Sequence, residues 1–377
     1  MKPVKHIRGI SAACLLAVPL MLSGCSLFGS ESAAVDPPPA EVEAQMLQVS
    51  GESTADTGVF GPVSQDEEKT ATEVKNGETA PAAASASGER TTVYLEDQNG
   101  LLAPVSLALP QAKDQAMLKD SLTALVSKGA YASALPEGFQ GVLPAGTEVK
   151  QVSVGQDQVA IVEFNSAFTD YDPADERKIL EALTWTLTGQ DDIKGVQLWV
   201  DGRKLTEMPL QGTPLDRPLS RTMGINLSKA NALMMNSSAV TVYFAAASPD
   251  GKHQYYVPVT RFVPAGGDAV KAALSELIAG PQSENGLEMV MTQGTVVDSV
   301  KAGQNGVVTV SLKDDMFEGS TSIPEEMLES VVLTVAQNTD DSLVQIRLNG
   351  KETVKGTNNI DYGQPVSAPE YVNELPL

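Results

Sequence analysis

Cysteine is nearly absent from this chain of 377 residues, and both copies, Cys14 and Cys25, sit at its very start. No disulfide can therefore staple the later, folded part, which must rest on a hydrophobic core. Histidine is as scarce: beyond His6 the sequence holds only His253, in a Gly-Lys-His-Gln loop where it reads as incidental. That removes the material for His-based zinc sites and for Ser-His-Asp triads. Gly-x-Ser-x-Gly, Walker A and His-Glu-x-x-His patterns are missing too. Basic residues are few, 26 against 48 acidic ones, for a net charge of −22. Such a balance argues against nucleic acid as a partner and against electrostatic docking on anionic lipid.

What is present begins with a leader. Lys2, Lys5 and Arg8 precede an apolar run, Ile10 to Leu22, interrupted by Pro19. At 13 residues the run falls short of the roughly 20 needed to span a bilayer and suits a signal peptide. It ends in Leu22-Ser23-Gly24-Cys25, which resembles the lipobox of bacterial lipoproteins. The resemblance implies cleavage after residue 24, a lipid (diacylglyceryl and palmitate chains) on Cys25, and attachment to the outer side of the cell membrane. Two acyl chains give stable anchoring where one is marginal.

Residues 25–90 carry twelve acids and three bases, several prolines and almost no aromatic side chains. A segment of this kind buries too little apolar surface to offset the entropy of ordering it, and is expected to be a disordered tether. Its end-to-end distance would be roughly 45 Å. From there on, with 42% apolar residues over the chain, there is room for two domains.

The sequence then repeats. Thr92-Val93-Tyr94-Leu95 returns as Thr241-Val242-Tyr243-Phe244, and Gly146-Thr147 as Gly294-Thr295. Val196 to Gly202 returns as Val344 to Gly350, Gly212-Thr213 as Gly356-Thr357, Pro218 as Pro365, and Ile225-Asn226 as Val372-Asn373. The spacing divides the chain into a leader (1–24), a tether (25–90), a first module with a C-terminal arm (91–227), a connection (228–239) and a second module with its arm (240–377). Each copy reads as strand (Thr92–Leu95), strand (Val105–Leu109), helix from about Asp114 to Gly129, two strands (Thr147–Val154, Gln158–Phe164), a second helix with Ile179, Leu180, Leu183 and Leu187 on one face, and a closing strand at Val196. In the second copy Asp268 and Gly280-Pro281 bound the first helix. Ser322 with Glu325 marks the start of the second helix, and Asn305-Gly306 a hairpin turn. Helices on one face of a sheet give an α+β fold, here two tandem two-layer modules.

Candidate chemistry is thin. Asp170, Asp172, Asp175 and Glu176 invite a calcium reading, but they lack the EF-hand's central glycine and final glutamate, and the dipole of a helix N-terminus accounts for them. Gly266-Gly267-Asp268 is a helix cap without a phosphate loop's spacing. The acids that recur are Asp170/Glu318 and Glu181/Glu329; Glu181 falls between the apolar positions of its helix and is expected to face water, so neither pair reads as a glycosidase dyad. Trp185 and Trp199 have no tryptophan counterparts in the second copy. No catalytic residue, metal or cofactor is expected.

The order of these motifs resembles the GerM family of sporulation lipoproteins, with two GerMN domains behind a lipobox and an acidic spacer. The resemblance rests on Thr92-Val93-Tyr94-Leu95, Gly146-Thr147, Phe164-Asn165-Ser166-x-Phe168, the Val196–Gly202 strand and Leu277-Ile278-Ala279-Gly280-Pro281. It implies modules similar to the ring-building motifs of secretion systems, and an assembly role at the envelope between mother cell and forespore with effects on germination. The partners it implies are the membrane, through Cys25, ring or channel proteins of that envelope, and further copies of the chain. An enzyme acting on cell-wall or cortex peptidoglycan and a ligand-binding envelope lipoprotein are the alternatives.

Overall fold

The computed structural model describes residues 90–109, 115–190, 192–227, 236–282, 286–303, 305–340 and 343–375, all within the unit Asn76–Leu377. Leu22, Ser23, Gly24, Cys25 and the tether as far as residue 89 lie outside them, while Arg90 belongs to the first strand. Among the described residues no helix is long and apolar enough to cross a membrane.

The chain forms two tandem α+β modules. In the first, β1 (Arg90–Glu96) and β2 (Leu102–Ala108) make an antiparallel hairpin, with Tyr94 opposite Pro104. Helix α1 (Gln115–Ala124) follows, then β3 (Val149–Val154), β4 (Val159–Phe164), α2 (Glu176–Leu187), β5 (Gly195–Val200) and β6 (Arg203–Lys204). The last four strands form one sheet in the order β3-β4-β5-β6. The β4–β5 pair is parallel and therefore needs a crossover, which α2 provides.

The second module repeats the plan with β7 (Ser237–Ala247), β8 (Gln254–Pro264), α3 (Ala269–Ala279), β9 (Leu287–Glu288), β10 (Val296–Ala302), β11 (Val307–Lys313), α4 (Glu325–Gln337), β12 (Leu343–Leu348) and β13 (Val366–Ser367). Its four-stranded sheet has the order β10-β11-β12-β13, while β9 joins the hairpin beside β7. Both long sheets carry a register shift at the same repeat position, between Val149 and Gln151 and between Val297 and Ser299. Asn305 and Gly306 both take the left-handed conformation, φ 70° and 68°, that a tight hairpin turn needs.

The inward face of α2 is fully buried at Ile179, Leu180, Leu183 and Leu187, against Val162, Phe164 and Leu198 of the sheet. Met327, Leu328, Val331 and Val335 do the same on α4. The helices also hold the hairpins. Tyr94 N–H donates to Thr186 Oγ1 at 3.0 Å and Tyr243 N–H to Thr334 Oγ1 at 3.1 Å. Each first strand therefore has β2 or β8 on one edge and helix hydroxyls on the other, with no edge left open in its middle.

Three local expectations are revised. Helix α1 ends at Ala124, well before Gly129, because Val126 leaves the helix to bridge Leu143. Strand β7 begins at Ser237, so residues 237–239 belong to the strand and not to the connection. Ser322 does not cap α4. The N–H of Glu325 instead donates to Thr357 Oγ1 at 3.0 Å, from the arm. Asp268 caps α3 as expected, accepting from Lys271 N at 2.9 Å.

Candidate functional site

A dense set of hydrogen bonds among the described residues lies at the seam between the modules, where the outer edges of β2 and β8 approach each other. In an antiparallel hairpin alternate residues turn their N–H and C=O outward. On β2 these are Leu102, Pro104 and Ser106, and on β8 they are Tyr256, Pro258 and Thr260. Proline carries no N–H, so Pro104 and Pro258, at equivalent positions, break any direct ladder across the seam.

The two C-terminal arms fill the gap. Asn226 accepts from Leu102 N at 2.8 Å, and its amide donates to Leu102 O at 2.7 Å and Pro258 O at 2.8 Å. Asn373 mirrors it, accepting from Tyr256 N at 2.7 Å and donating to Tyr256 O at 2.8 Å and Pro104 O at 2.7 Å. Both asparagines are left-handed, φ 51° and 58°, a conformation Asn adopts more readily than most residues. The residue before each clamp crosses to the other module. Thr260 N donates to Ile225 O at 2.9 Å, and Ser106 Oγ donates to Val372 O at 2.9 Å. The contacts are reciprocal, as in an approximate two-fold interface.

Around the clamps lies a second layer. The repeat tyrosines Tyr94 and Tyr243 are both buried here; burial pushes both phenols up, Tyr243 strongly. Arg221 of the first arm stacks 4.5 Å over the Trp185 ring and donates to Thr188 Oγ1 at 3.0 Å and to Gln337 Oε1 of the second module at 3.1 Å. Trp185 donates its indole N–H to Gly224 O at 3.0 Å. On another side Tyr255 of β8 donates to Asp97 Oδ2 at 2.8 Å and packs on Phe139, with ring centroids 5.1 Å apart. Tyr255 and Val257 are fully enclosed among residues of the first module.

Glu181 does not face water. It is 4% exposed, accepts from Asn226 N at 2.9 Å and pairs with Arg177 Nε at 2.6 Å. Its position between the apolar residues of α2 points it at the arm. Burial pushes its carboxyl up despite Arg177, the Asn226 N–H and Lys178. Its counterpart Glu329 accepts from Asn358 Nδ2 at 3.2 Å and Tyr362 Oη at 3.3 Å. The one strictly recurring helix acid thus ties its helix to the arm in each module, and in the first module it meets the clamp itself. Burial and Glu329 push the Tyr362 phenol up to about 12.

The acidic cluster near α2 is divided among structural tasks. Asp172 caps a short 3₁₀ turn, accepting from Ala174 N at 2.9 Å. Glu176 is buried, and its carboxylate accepts from Tyr171 Oη at 2.7 Å, Gln211 N at 2.8 Å and the Thr213 hydroxyl. Burial alone would raise its pKa; the bonds from Thr213, Gln211 and Tyr171 outweigh that and hold it below the usual range. Asp170, Asp172 and Asp175 line a surface cleft of about 250 Å³ with Glu96, Gln140 and Lys178, and Lys178 pairs there with Glu96. Among the described residues no group of His, Cys, Asp and Glu is gathered to hold a metal ion. Asp314, which accepts from the Thr292 and Thr295 hydroxyls at 2.6 Å each, is likewise a tie between loops. Trp199 lies half-buried on β5, away from Trp185.

No local pattern assigns a role to the prolines and asparagines of the seam. The available signal was that Ile225-Asn226 returns as Val372-Asn373 in segments with no strand pattern, and that Pro104 returns as Pro258.

Known proteins share this arrangement. The family model described as "Germane: Sporulation and spore germination" matches residues 92–206 and 241–354. "Spore germination protein GerM" of Bacillus subtilis (strain 168) is 35% identical over 372 residues, 97% of this chain and 97% of that protein. Among solved structures, the tandem GerMN domains of the sporulation protein GerM from Bacillus subtilis match at 35% identity and a TM-score of 0.71, over 77% of this chain and 100% of that one. The first GerMN domain of the same protein matches at 40% identity over 35% of this chain and 98% of that one, with a TM-score of 0.34. The chain belongs to the GerM family of sporulation and spore-germination proteins and carries the family's two domains in tandem.

Proposed function

We propose that this protein, whose family membership gives it a role in sporulation or germination, is a lipid-anchored assembly factor of the envelope between mother cell and forespore. It scaffolds a ring or channel there and performs no catalysis. The observation carrying this reading is the near end-to-end match to a spore germination protein with both modules retained. Supporting it, the best-organised polar groups of the described residues tie the two modules together. The seam offers docking partners one rigid body instead of two independent domains.

Attachment comes from the leader. Cys25 takes the lipid, Leu22, Ser23 and Gly24 form the recognition sequence before it, and the acidic spacer sets how far the modules reach from the extracytoplasmic membrane surface. A fluorescent fusion followed through sporulation tests this. The expected result is enrichment at the engulfing septum that is lost in Cys25→Ala. A uniform signal in vegetative cells, unchanged by that substitution, contradicts it. Peptidoglycan cleavage by the purified protein would replace the scaffold reading with an enzymatic one.

A further inference from the structure

The seam is built from groups that either module could offer to a different copy of its counterpart. Each clamp bonds its own module on one side (Asn226 to Leu102, Asn373 to Tyr256) and the opposite proline carbonyl on the other. None of these contacts involves the connecting residues 228–235. The connection is short, while the surface it joins is extensive and reciprocal, and a self-complementary junction with a short hinge is the setting in which modules exchange between chains.

We propose that the seam also closes between two copies of this chain, the first module of one against the second module of the other, giving a closed two-fold exchanged dimer. The occupant is a second copy because the surface is complementary only to the repeat itself. The prolines exclude simple addition of a strand, and the carbonyls opposite them require an asparagine held in the left-handed conformation at the end of an arm.

Pairing is head to tail, not like with like. The clamps alone would allow two first modules to meet, since Asn226 could serve Pro104 as well as Pro258. Two contacts break that symmetry. Tyr255 donates to Asp97, but the residue at the Tyr255 position of the first module is Leu101, which has no donor for a partner's Asp97. Arg221 reaches Gln337, whose counterpart is Gly189. The Gln98 amide also crosses the seam, donating to Ala247 O at 3.1 Å, but its acceptor is a backbone carbonyl at the equivalent repeat position and so does not discriminate. Within one chain the tethered partner is present at an effective concentration on the order of millimolar, so the closed monomer dominates in dilute solution and exchange emerges when chains open together or crowd.

The test uses the full chain in a Cys14→Ser, Cys25→Ser background carrying one new thiol, either Gln98→Cys or Ala247→Cys. The two proteins are mixed, opened with denaturant, refolded at high concentration and treated with a short thiol-specific crosslinker. The proposal expects covalent dimers from the mixture, several-fold above those from either protein alone. Absence of that excess overturns exchange, and equal yield from Gln98→Cys alone overturns the head-to-tail rule. In a second arm residues 230–234 are deleted, so that the chain cannot easily close on itself. A folded protein of dimeric mass supports exchange and a folded monomer contradicts it, while the thiol pair decides the matter if the deletion prevents folding.

Discussion

Asn226 and Asn373 concentrate the cost of a single change. Aspartate at either position keeps the size but loses both amide donors and sets a carboxylate beside two carbonyls. Asn226→Asp strips Leu102 O and Pro258 O of their partner, and Asn373→Asp does so for Tyr256 O and Pro104 O. Each substitution is expected to cost about 2–3 kcal/mol in chemical denaturation. The double variant should depart from additivity, because both act on one junction. A different residue effect is set by pH. Glu176 and Asp314 have folded pKa values held below the ordinary range, so each contributes stability that is present above its unfolded value, about 4.3 for Glu and 3.9 for Asp. That contribution is lost as pH falls through the lower folded values. Glu176→Gln and Asp314→Asn should therefore flatten the acid limb of a stability–pH curve. Glu181 has the opposite sign: its raised pKa means that ionisation costs stability as pH rises, so the deficit of Glu181→Gln against the wild type at the same pH should be smaller at neutral than at acid pH.

At the scale of elements, Thr186 and Thr334 deserve the comparison, since each satisfies the outward N–H of a repeat tyrosine from a helix buried above the hairpin. Thr186→Val and Thr334→Val preserve volume while orphaning that N–H, and each should lower stability by about 1–2 kcal/mol. Amide exchange should rise locally at Tyr94 and Tyr243. The same scale shows what the sequence could and could not reveal. The helix faces at Ile179–Leu187 and Met327–Val335, the Asn305-Gly306 turn and the Asp268 cap are local patterns, and local patterns are readable. Helical spacing alone predicts a longer α1, and a long-range bridge from Val126 to Leu143 overrides it. A hydroxyl near a helix start, Ser322, is a common cap signal, whereas the hydroxyl used, on Thr357, arrives from 32 residues away. Periodicity identifies a helix's own core face, but the face that carries Glu181 is covered by an arm whose path has no periodic signature. The seam is illegible for the same reason: it is made of prolines and asparagines brought together across 32 residues in one clamp and 269 in the other.

For the whole molecule the consequence is mechanical unity. Repeated modules joined by a short connection could have moved independently. Here each arm reaches across to the other hairpin, Arg221 joins the first arm and α2 to α4, and Tyr255 is enclosed by the first module. Breaking the seam exposes backbone edges and buried tyrosines in both halves at once, so unfolding of one module should destabilise the other. A scaffold benefits directly, because whatever docks on one module then fixes the orientation of both. Scanning calorimetry of the full chain, compared with the Asn226→Asp, Asn373→Asp double variant, puts this to the test. The account predicts one cooperative transition for the wild type, and for the double variant a lower midpoint with separation into two transitions. Two independent transitions in the wild type, unmoved by the substitutions, would contradict it.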